Sequence, residues 1–249
     1  MALGYPDKTS KETKVEKTPL IITIDGPSGV GKGTLGLLLA KALGWHFLES
    51  GALYRVLALA ATQHGVALDN EVALELLAAH LDVQFQAAEG PGERSKVLLE
   101  GSDVSDLIRT EARGLAASKV SQYAGVRHAL LDRQKAFLQM PGLVAEGRDM
   151  GTVVFPLAHL KLYLVASAAE RAQRRYKQLK EKGISAKLPD LVVEIAERDQ
   201  RDQQRSVAPL KPAENAIIID TTHLNVHDAM LRIKAEVDQG LGFKIQFEF

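Results

Sequence analysis

The chain has 249 residues, of which 46% are hydrophobic, and this length allows one or two domains with a buried core. Lysine plus arginine and aspartate plus glutamate each number 31, so the formal net charge is zero, whereas nucleic-acid-binding proteins usually carry a basic excess. The absence of cysteine excludes disulfides, thiolate catalysis and cysteine-ligated zinc, and no apolar run approaches the roughly 20 residues that cross a bilayer. We therefore expect a cytoplasmic protein without membrane or nucleic-acid partners.

The two ends of the chain differ in composition from the rest. Residues 1–18 are rich in lysine, threonine and glutamate and lack the apolar core of a secretory signal, which predicts a disordered leader. Residues 239–249 are expected to form a tail, and the closing "LGFKIQFEF" fits either a strand or a sticky tail. Residues 19–238 are expected to form a single domain.

Five short apolar runs have the character of parallel strands that are covered on both faces. They lie at residues 20–24, 45–48, 143–145, 160–165 and 217–219. Helical patterns separate several of them, which favours an α/β fold with a parallel sheet flanked by helices. Ser167 and Glu170 form a capping-box signature, which predicts a helix that begins there and stops at Gly183.

The segment from about residue 51 to 139 does not follow this alternation. Residues 82–86 and 96–101 predict two short strands around a Gly-Pro-Gly loop at Gly90–Gly92, with helical stretches on either side. We interpret this segment as an insertion carried by an α/β core formed by residues 19–50 and 140–238.

The stretch "GPSGVGKGT" joins the first predicted strand to a helix. Its glycines let the backbone curl so that several N–H groups point at one spot near the positive end of the helix, which suits phosphate. Lys32 can reach the β- and γ-phosphates of a nucleotide. Because Gly33 separates Lys32 from Thr34, the loop is more similar to those of nucleoside monophosphate kinases than to those of GTPases. The ATP-binding residues are predicted to be Gly26, Pro27, Ser28, Gly29, Val30, Gly31, Lys32, Gly33 and Thr34.

Two further motifs follow predicted strands. "ESGALYR" at residues 49–55 could turn the chain and direct Tyr54 and Arg55 to a second substrate, although alone it fits a surface helix start better. "EGRDMGT" at residues 146–152 places Arg148 and Asp149 at a strand's carboxyl end, where α/β sheets bind ligands. The alternative for the second motif is an ion pair that only braces a loop.

A third motif, "AERDQRDQQR", lies on a predicted helix. Leu191 and Ile195 define its apolar face, and the same stripe continues through Arg198, Asp202 and Arg205. Charged residues on an inward face favour a ligand site, and ion pairs within the helix are the alternative.

Together these motifs closely resemble those of the bacterial cytidylate kinases, the CMP/dCMP kinases among the P-loop nucleoside monophosphate kinases. The resemblance extends from about residue 20 to 235. It is carried by "ITIDGPSG", "GKGT", "SGALYR", "LEGSDVSDLIRT", "GRDMGTVVFP" and "RDQQRSVAPL". It implies a P-loop kinase with a five-stranded parallel sheet, an inserted NMP-binding subdomain and a short lid at about residues 168–186.

The resemblance also implies an activity and a set of site residues. The family transfers the γ-phosphoryl group of ATP to CMP or dCMP with Mg²⁺, for which Thr34 is a candidate contact, and we expect a monomer. The implied catalytic residues are Lys32, Arg148 and Arg174, and the implied lid residues are Arg171, Arg174 and Arg175. Arg55, Arg148 and Arg198 would surround the CMP phosphate and sugar. Ser50, Arg127, Asp149 and Arg205 would read the cytosine, and Ser118 and Asp202 the sugar. The complete set of implied CMP residues is Ser50, Tyr54, Arg55, Ser118, Arg127, Arg148, Asp149, Arg198, Asp202 and Arg205.

Hydrogen-bonding chemistry agrees with the cytosine assignment. A carboxylate and a hydroxyl can accept from the cytosine amino group, and a guanidinium can donate to N3 or O2. Uracil reverses two of these contacts, so UMP should be a poor substrate. The alternatives are another small-molecule kinase of the same fold, such as an adenylate or UMP kinase, and a non-catalytic ATP-binding switch or nucleic-acid module.

Overall fold

The computed structural model describes residues 18–86, 96–181 and 183–242. The strands are β1 (Leu20–Asp25), β2 (His46–Glu49), β3 (Val83–Gln86), β4 (Lys96–Leu99), β5 (Ser102–Asp103), β6 (Gly142–Gly147), β7 (Leu160–Val165) and β8 (Ile217–Asp220). The helices are α1 (Lys32–Leu43), α2 (Ser50–Gln63), α3 (Glu71–Ala79), α4 (Glu111–Val120), α5 (Ala124–Lys135), α6 (Ala168–Glu181), α7 (Leu188–Gln203) and α8 (Val226–Leu241).

Five of these strands form one parallel sheet in the order β2–β6–β1–β7–β8. They correspond to the five predicted apolar runs, so the predicted α/β fold with a five-stranded parallel sheet is confirmed. Asp25 lies opposite Gly147, and Glu49 lies opposite Glu146. The carboxyl ends of β1, β2 and β6 therefore meet at one edge, where the loops that follow them can share a site.

Each face of the sheet is covered by its own apolar cluster, which explains why the strands are apolar nearly throughout. On one face, Ile24 of β1 packs with Leu39 of α1 and Ile233 of α8. On the other face, Leu143 of β6 packs with Leu57 of α2 and Leu130 of α5. The second cluster joins helices of the predicted insertion to the main sheet in one continuous core.

The predicted insertion contains a second, antiparallel sheet in the order β3–β4–β5. The strands predicted at residues 82–86 and 96–101 are confirmed, whereas β5 and a short 3₁₀ turn at Leu107–Arg109 were not predicted. Both unpredicted elements are only two or three residues long, which is too short for a periodic pattern. The predicted Gly90–Gly92 loop lies outside the described residues.

The helix predicted from Ser167 and Glu170 is confirmed as α6. The hydroxyl of Ser167 accepts a hydrogen bond from the Glu170 backbone N–H at 3.2 Å, and the helix ends two residues before Gly183, which has φ +71°. Helices α6 and α7 pack on each other through Ala172, Leu179 and Leu191.

The ends of the chain agree only in part with the prediction. Residues 1–17, the bulk of the predicted leader, and residues 243–249 of the predicted tail lie outside the described residues. Helix α8 runs past the boundary predicted at residue 239 and ends at Leu241, and Gly242 follows it with φ +70°. No helix in the described part of the chain is both long and apolar enough to span a membrane.

Candidate active site

The glycine-rich loop joins β1 to α1 at the carboxyl edge of the sheet. Gly26, Gly29 and Gly31 have φ of 146°, 82° and 98°, backbone conformations that residues with a Cβ rarely adopt. A Cβ at Gly26 would lie 2.2 Å from the Leu164 carbonyl oxygen, so this position also requires glycine for close approach to β7. The loop thus has the curled backbone that the sequence predicted for a phosphate site.

Lys32 opens α1 beneath this loop. Its Nζ donates to the Pro27 carbonyl at 2.7 Å, and its side chain is buried. Burial, and then the positive charge of Arg148, lower the pKa of Lys32 to about 7, against the attraction of Glu146. The ammonium therefore lies within the curl of the loop. A bound anion there would stabilise its charged form, which burial and Arg148 disfavour.

Asp25, directly before the loop, was not predicted as a site residue. Its carboxylate accepts the backbone N–H groups of Met150 and Gly151 at 2.9 and 2.7 Å. These two residues begin the π-helical turn Met150–Val154 that follows Arg148 and Asp149. Burial raises the pKa of Asp25 to about 6. Asp25 thus joins the start of the phosphate loop to the segment that carries two of the predicted CMP residues.

A set of cationic side chains lines the cleft beside Lys32. Arg148 donates through Nε to Asp202 at 3.0 Å, and Arg55 donates through Nη1 to the Ile108 carbonyl at 3.0 Å. Burial, and then the charge of Arg148, lower the pKa of Arg198 to about 10. The Arg198 Nε is buried without a hydrogen-bond partner among the described residues. A group of mutually repelling cations with an unused donor is suited to an anionic ligand.

The predicted cytosine residues come together at the end of β6. Arg127 of α5 forms a buried ion pair with Asp149, and it also donates to the Ser121 carbonyl at 3.1 Å. The same guanidinium lies 5.6 Å from the centroid of the Tyr54 ring, and burial raises the pKa of Tyr54 to about 12. Ser50 is buried at the start of α2, next to Gly147. The motif "ESGALYR", which alone fitted a helix start on the surface, does begin a helix, but Ser50 at that start is buried.

The third motif reaches the same cleft from α7. Asp202 is buried and accepts from Arg148 and Arg205, and although burial opposes it, these charges hold its pKa below the usual value. Arg205 also donates to the Ser121 hydroxyl at 3.1 Å. The Ser118 hydroxyl is buried and has no hydrogen-bond partner in the described chain. One detail of the prediction is wrong: α7 ends at Gln203, so Arg205 follows the helix and does not lie on its stripe.

The three predicted lid arginines lie on α6 with different surroundings. Arg171 is buried and contacts Ser28 and Asp199, whereas Arg174 contacts Glu170 and the carbonyls of Thr221 and Leu224. Arg175 has an Nη1–Gln178 Oε1 distance of 3.5 Å and a pKa lowered by burial and by Arg55. Arg171 and Arg174 are therefore directed to the base of the cleft and to the loop after β8.

Several residues that shape the cleft were not predicted. Ser121 and Asp199 each contact a predicted arginine, and the Thr221 hydroxyl donates to the Val30 carbonyl at 3.2 Å. Asp25 and Asp199 stand next to predicted residues within the quoted motifs, so the sequence offered a signal for both. Thr221 lies far from any motif, and only the fold brings it to the loop.

Most of the residues described above line a single cleft of about 1090 Å³. The phosphate loop lies on one side, α2 and residues 109–127 on a second, and α6 and α7 close the third. Thr34, an exposed residue, also lines this cleft. No group of three acidic or histidine side chains suited to a metal occurs within the described ranges.

Comparison with known proteins identifies the family to which this chain belongs. The family model described as cytidylate kinase matches residues 22–239. A cytidylate kinase of Aeromonas hydrophila is 59% identical over 222 residues, which cover 89% of this chain and 95% of the relative. One of Shewanella amazonensis is 58% identical over 226 residues, covering 91% and 97%, and one of Pseudomonas putida is 59% identical over 219 residues, covering 88% and 96%. The chain belongs to the cytidylate kinase family.

Proposed function

We propose that this protein transfers the γ-phosphoryl group of ATP to CMP or dCMP, giving ADP and CDP or dCDP, in pyrimidine nucleotide metabolism. The observation that carries the proposal is the buried Arg127–Asp149 pair, which lies in the same cleft as the phosphate loop. Relatives about 59% identical over most of the chain are cytidylate kinases, which supports the same reaction here.

The donor end of the cleft is assigned to ATP. The curled loop presents backbone N–H groups at the N-terminus of α1, and Lys32 supplies a positive charge beside them. A phosphate there would compete for the ammonium that now donates to Pro27, and it would restore the pKa that burial lowers. Lys32 is therefore proposed to stabilise the negative charge that spreads over the transferring group.

Mg²⁺ is proposed to enter with ATP next to Thr34, an exposed residue of the cleft whose hydroxyl is a hard oxygen ligand. When bound, the ion would neutralise phosphate charge between donor and acceptor. Asp25 accepts the backbone N–H groups of Met150 and Gly151, so its proposed role is to hold the turn after β6 against the start of the phosphate loop.

The acceptor requires positioning more than acid–base catalysis. A nucleoside monophosphate has a second pKa of about 6, so at neutral pH it is already a dianionic nucleophile. Arg55, Arg148 and Arg198 are proposed to hold this phosphate, because they form the cationic wall beside Lys32. Their charges would offset the repulsion between the two anions.

The base is proposed to lie against Asp149 and the Ser50 hydroxyl, which accept from its amino group, while Arg127 and Arg205 donate to its ring acceptors. The proposed sugar contacts are Ser118 and Asp202. The unused Ser118 hydroxyl supports that contact, since a buried hydroxyl without a partner costs free energy until a ligand pairs with it.

We further propose that residues 51–139 act as the NMP-binding part of a single domain and residues 168–186 as a short lid. Arg174 and Arg175 are proposed to turn to the phosphates when the lid closes and to exclude water, the competing acceptor. In the structure Arg174 contacts Thr221 and Glu170, so this role requires its side chain to leave those partners.

The test is an assay of ADP formation with ATP and Mg²⁺ and with CMP, dCMP, UMP, AMP or GMP as acceptor. CMP or dCMP should give the highest kcat/KM, and UMP should be poorer by roughly 10- to 100-fold, because two buried contacts would be mismatched. A preference for AMP or UMP would make the protein another kinase of the same fold. Acceptor-independent ATP binding without transfer would make it a non-catalytic switch.

A further inference from the structure

One guanidinium on the proposed lid helix connects three separate segments of the chain. Arg171 lies in the first turn of α6 and is 4% exposed. Its Nε donates to the Ala166 carbonyl at 3.1 Å, at the junction between β7 and α6. Its Nη1 donates to the Ser28 carbonyl in the phosphate loop at 3.1 Å. Both terminal nitrogens also donate to the two carboxylate oxygens of Asp199 on α7, with Nη1 at 3.0 Å from Oδ1.

Protein partners occupy most of the hydrogen-bond donors of Arg171. A guanidinium has five N–H donors in a fixed plane, and Arg171 makes four hydrogen bonds to protein oxygens. The contact with Asp199 is bidentate, the geometry that fixes direction as well as distance. The donors of Arg171 are thus already paired with protein oxygens, unlike those of an arginine whose donors are available to a phosphate.

The backbone around the phosphate loop is shaped to admit this side chain. A Cβ at Gly29 would lie 3.2 Å from the Arg171 Cβ, and Gly29 has φ +82°. The loop and the first turn of α6 are therefore in close contact, and a shift of one would displace the other.

Asp199 links this contact to the proposed CMP site. It lies on α7 between Arg198 and Asp202, and Asp202 accepts from Arg148 at 3.0 Å. Rotation or sliding of α7 about Asp199 would therefore move two proposed CMP residues together. Apolar packing between α6 and α7 also holds the helices together, but it is non-directional and does not fix their register with the loop.

We propose that Arg171 and Asp199 are a positioning pair that holds the CMP-binding helix α7 in register with the ATP-binding loop during phosphoryl transfer. The inference rests on the proposed function and adds a role for two residues that need not touch either nucleotide. Its physical basis is the steep dependence of transfer on alignment, since a displacement of about 1 Å can cost about 100-fold in rate.

The principal variant is Asp199→Asn, which keeps the shape of the side chain and one acceptor but loses the charged bidentate contact. The matched control is Glu197→Gln on the same helix, where an exposed i,i+4 pair with Arg201 spans 3.9 Å. We expect Asp199→Asn to lower kcat for CMP by about 10- to 100-fold. The Kd of a non-hydrolysable ATP analogue and the Kd of CMP, each measured alone, should change by less than about threefold, and the control should keep wild-type values.

Two further variants separate positioning from other roles. Arg171→Leu combined with Asp199→Leu removes both charges, so no unpaired charge remains buried. If it folds with a wild-type melting temperature and still has a low kcat, the register role is supported. Recovery of wild-type kcat in this double variant would overturn the proposal, because the pair would then serve only to neutralise each other. The single variant Arg171→Leu tests direct contact: a loss of more than about tenfold in the Kd of the ATP analogue would make Arg171 a phosphate ligand and also overturn it.

The failure of this proposal is distinct from the failure of the proposed function. If the wild-type protein transfers no phosphoryl group to CMP, the function itself is wrong. If the wild type is active and Asp199→Asn retains kcat within twofold of the Glu197→Gln control, only the positioning role is wrong.

Discussion

Arg127 and Asp149 form a buried ion pair between α5 and the end of β6, although they lie 22 residues apart in the chain. Asp149 Oδ2 accepts from this guanidinium, whose plane lies near the Tyr54 ring. The carboxylate is thereby held in one orientation at the wall of the cleft. A ligand amino group can then pair with its remaining lone pairs, which is the basis of the first prediction.

Asp149→Asn should weaken the use of CMP and narrow the discrimination against UMP. The change replaces one acceptor oxygen by an amide donor, which removes the repulsion against uracil O4. We expect kcat/KM for CMP to fall by a factor that corresponds to a loss of about 1–3 kcal/mol of transition-state stabilisation. The Kd for ATP should barely change. The exposed Asp132→Asn on α5 is the control. If kcat/KM falls for both CMP and UMP and their ratio is unchanged, Asp149 is a structural residue.

Lys32→Ala should leave the protein folded and reduce kcat by at least about 10³-fold. The ammonium is the charge inside the curl of the loop, and its loss removes stabilisation of the transferring group. Far-UV circular dichroism and thermal unfolding check the fold, and Lys41→Ala, at the other end of α1, provides the control. Near-normal ADP formation by folded Lys32→Ala would remove this residue from the mechanism.

Nucleotide binding should be accompanied by proton uptake. Because burial lowers the pKa of Lys32 to about 7, the free protein holds this proton less tightly at pH 8 than an ordinary lysine does. A bound triphosphate favours the charged form, so binding of a non-hydrolysable ATP analogue should take up a measurable number of protons per site. Calorimetry in buffers of different ionisation enthalpy measures this number. Equal uptake by wild type and Lys32→Met would assign the proton to another group.

Asp25 should make the protein less stable as pH rises through the acid range. Its pKa is raised by burial from 3.8 to about 6, so between these values the folded state binds more protons than the unfolded state. The free energy of unfolding from this group therefore falls by about 3 kcal/mol from pH 4 to above pH 6. The amides of Met150 and Gly151 and the charge of Lys32 oppose this shift, and Asp149 adds to it.

The comparison of Asp25→Asn with wild type isolates this contribution. The variant cannot titrate, so its unfolding free energy relative to wild type should increase as pH rises from about 4 to 6. Urea unfolding at several pH values measures the difference. A difference that stays constant with pH would show that Asp25 keeps an ordinary pKa in the folded protein.

The sequence by itself determined those features that depend on neighbours along the chain. The glycines, Lys32 and the flanking apolar runs define a strand, a loop and a helix, because backbone curl and helix start are local properties. Ser167 and Glu170 fixed the start of α6 for the same reason. The short motifs also named many of the residues that line the cleft. Two of these motifs follow strands at the sheet's carboxyl edge, and the third lies on α7.

Only the tertiary structure decided which of these residues touch. Ser28 and Arg171 are 143 residues apart, and Asp25 and Gly151 are 126 apart, so no local pattern relates them. The strand order β2–β6–β1–β7–β8 brings these segments together, and packing on both faces of the sheet fixes their distance. Sequence placed Arg171 in a lid and Arg205 on a helical stripe. In the fold, Arg171 donates to the Ser28 carbonyl of the phosphate loop, a partner that only long-range packing could bring to it. Arg205 lies beyond the end of α7 and not on its stripe.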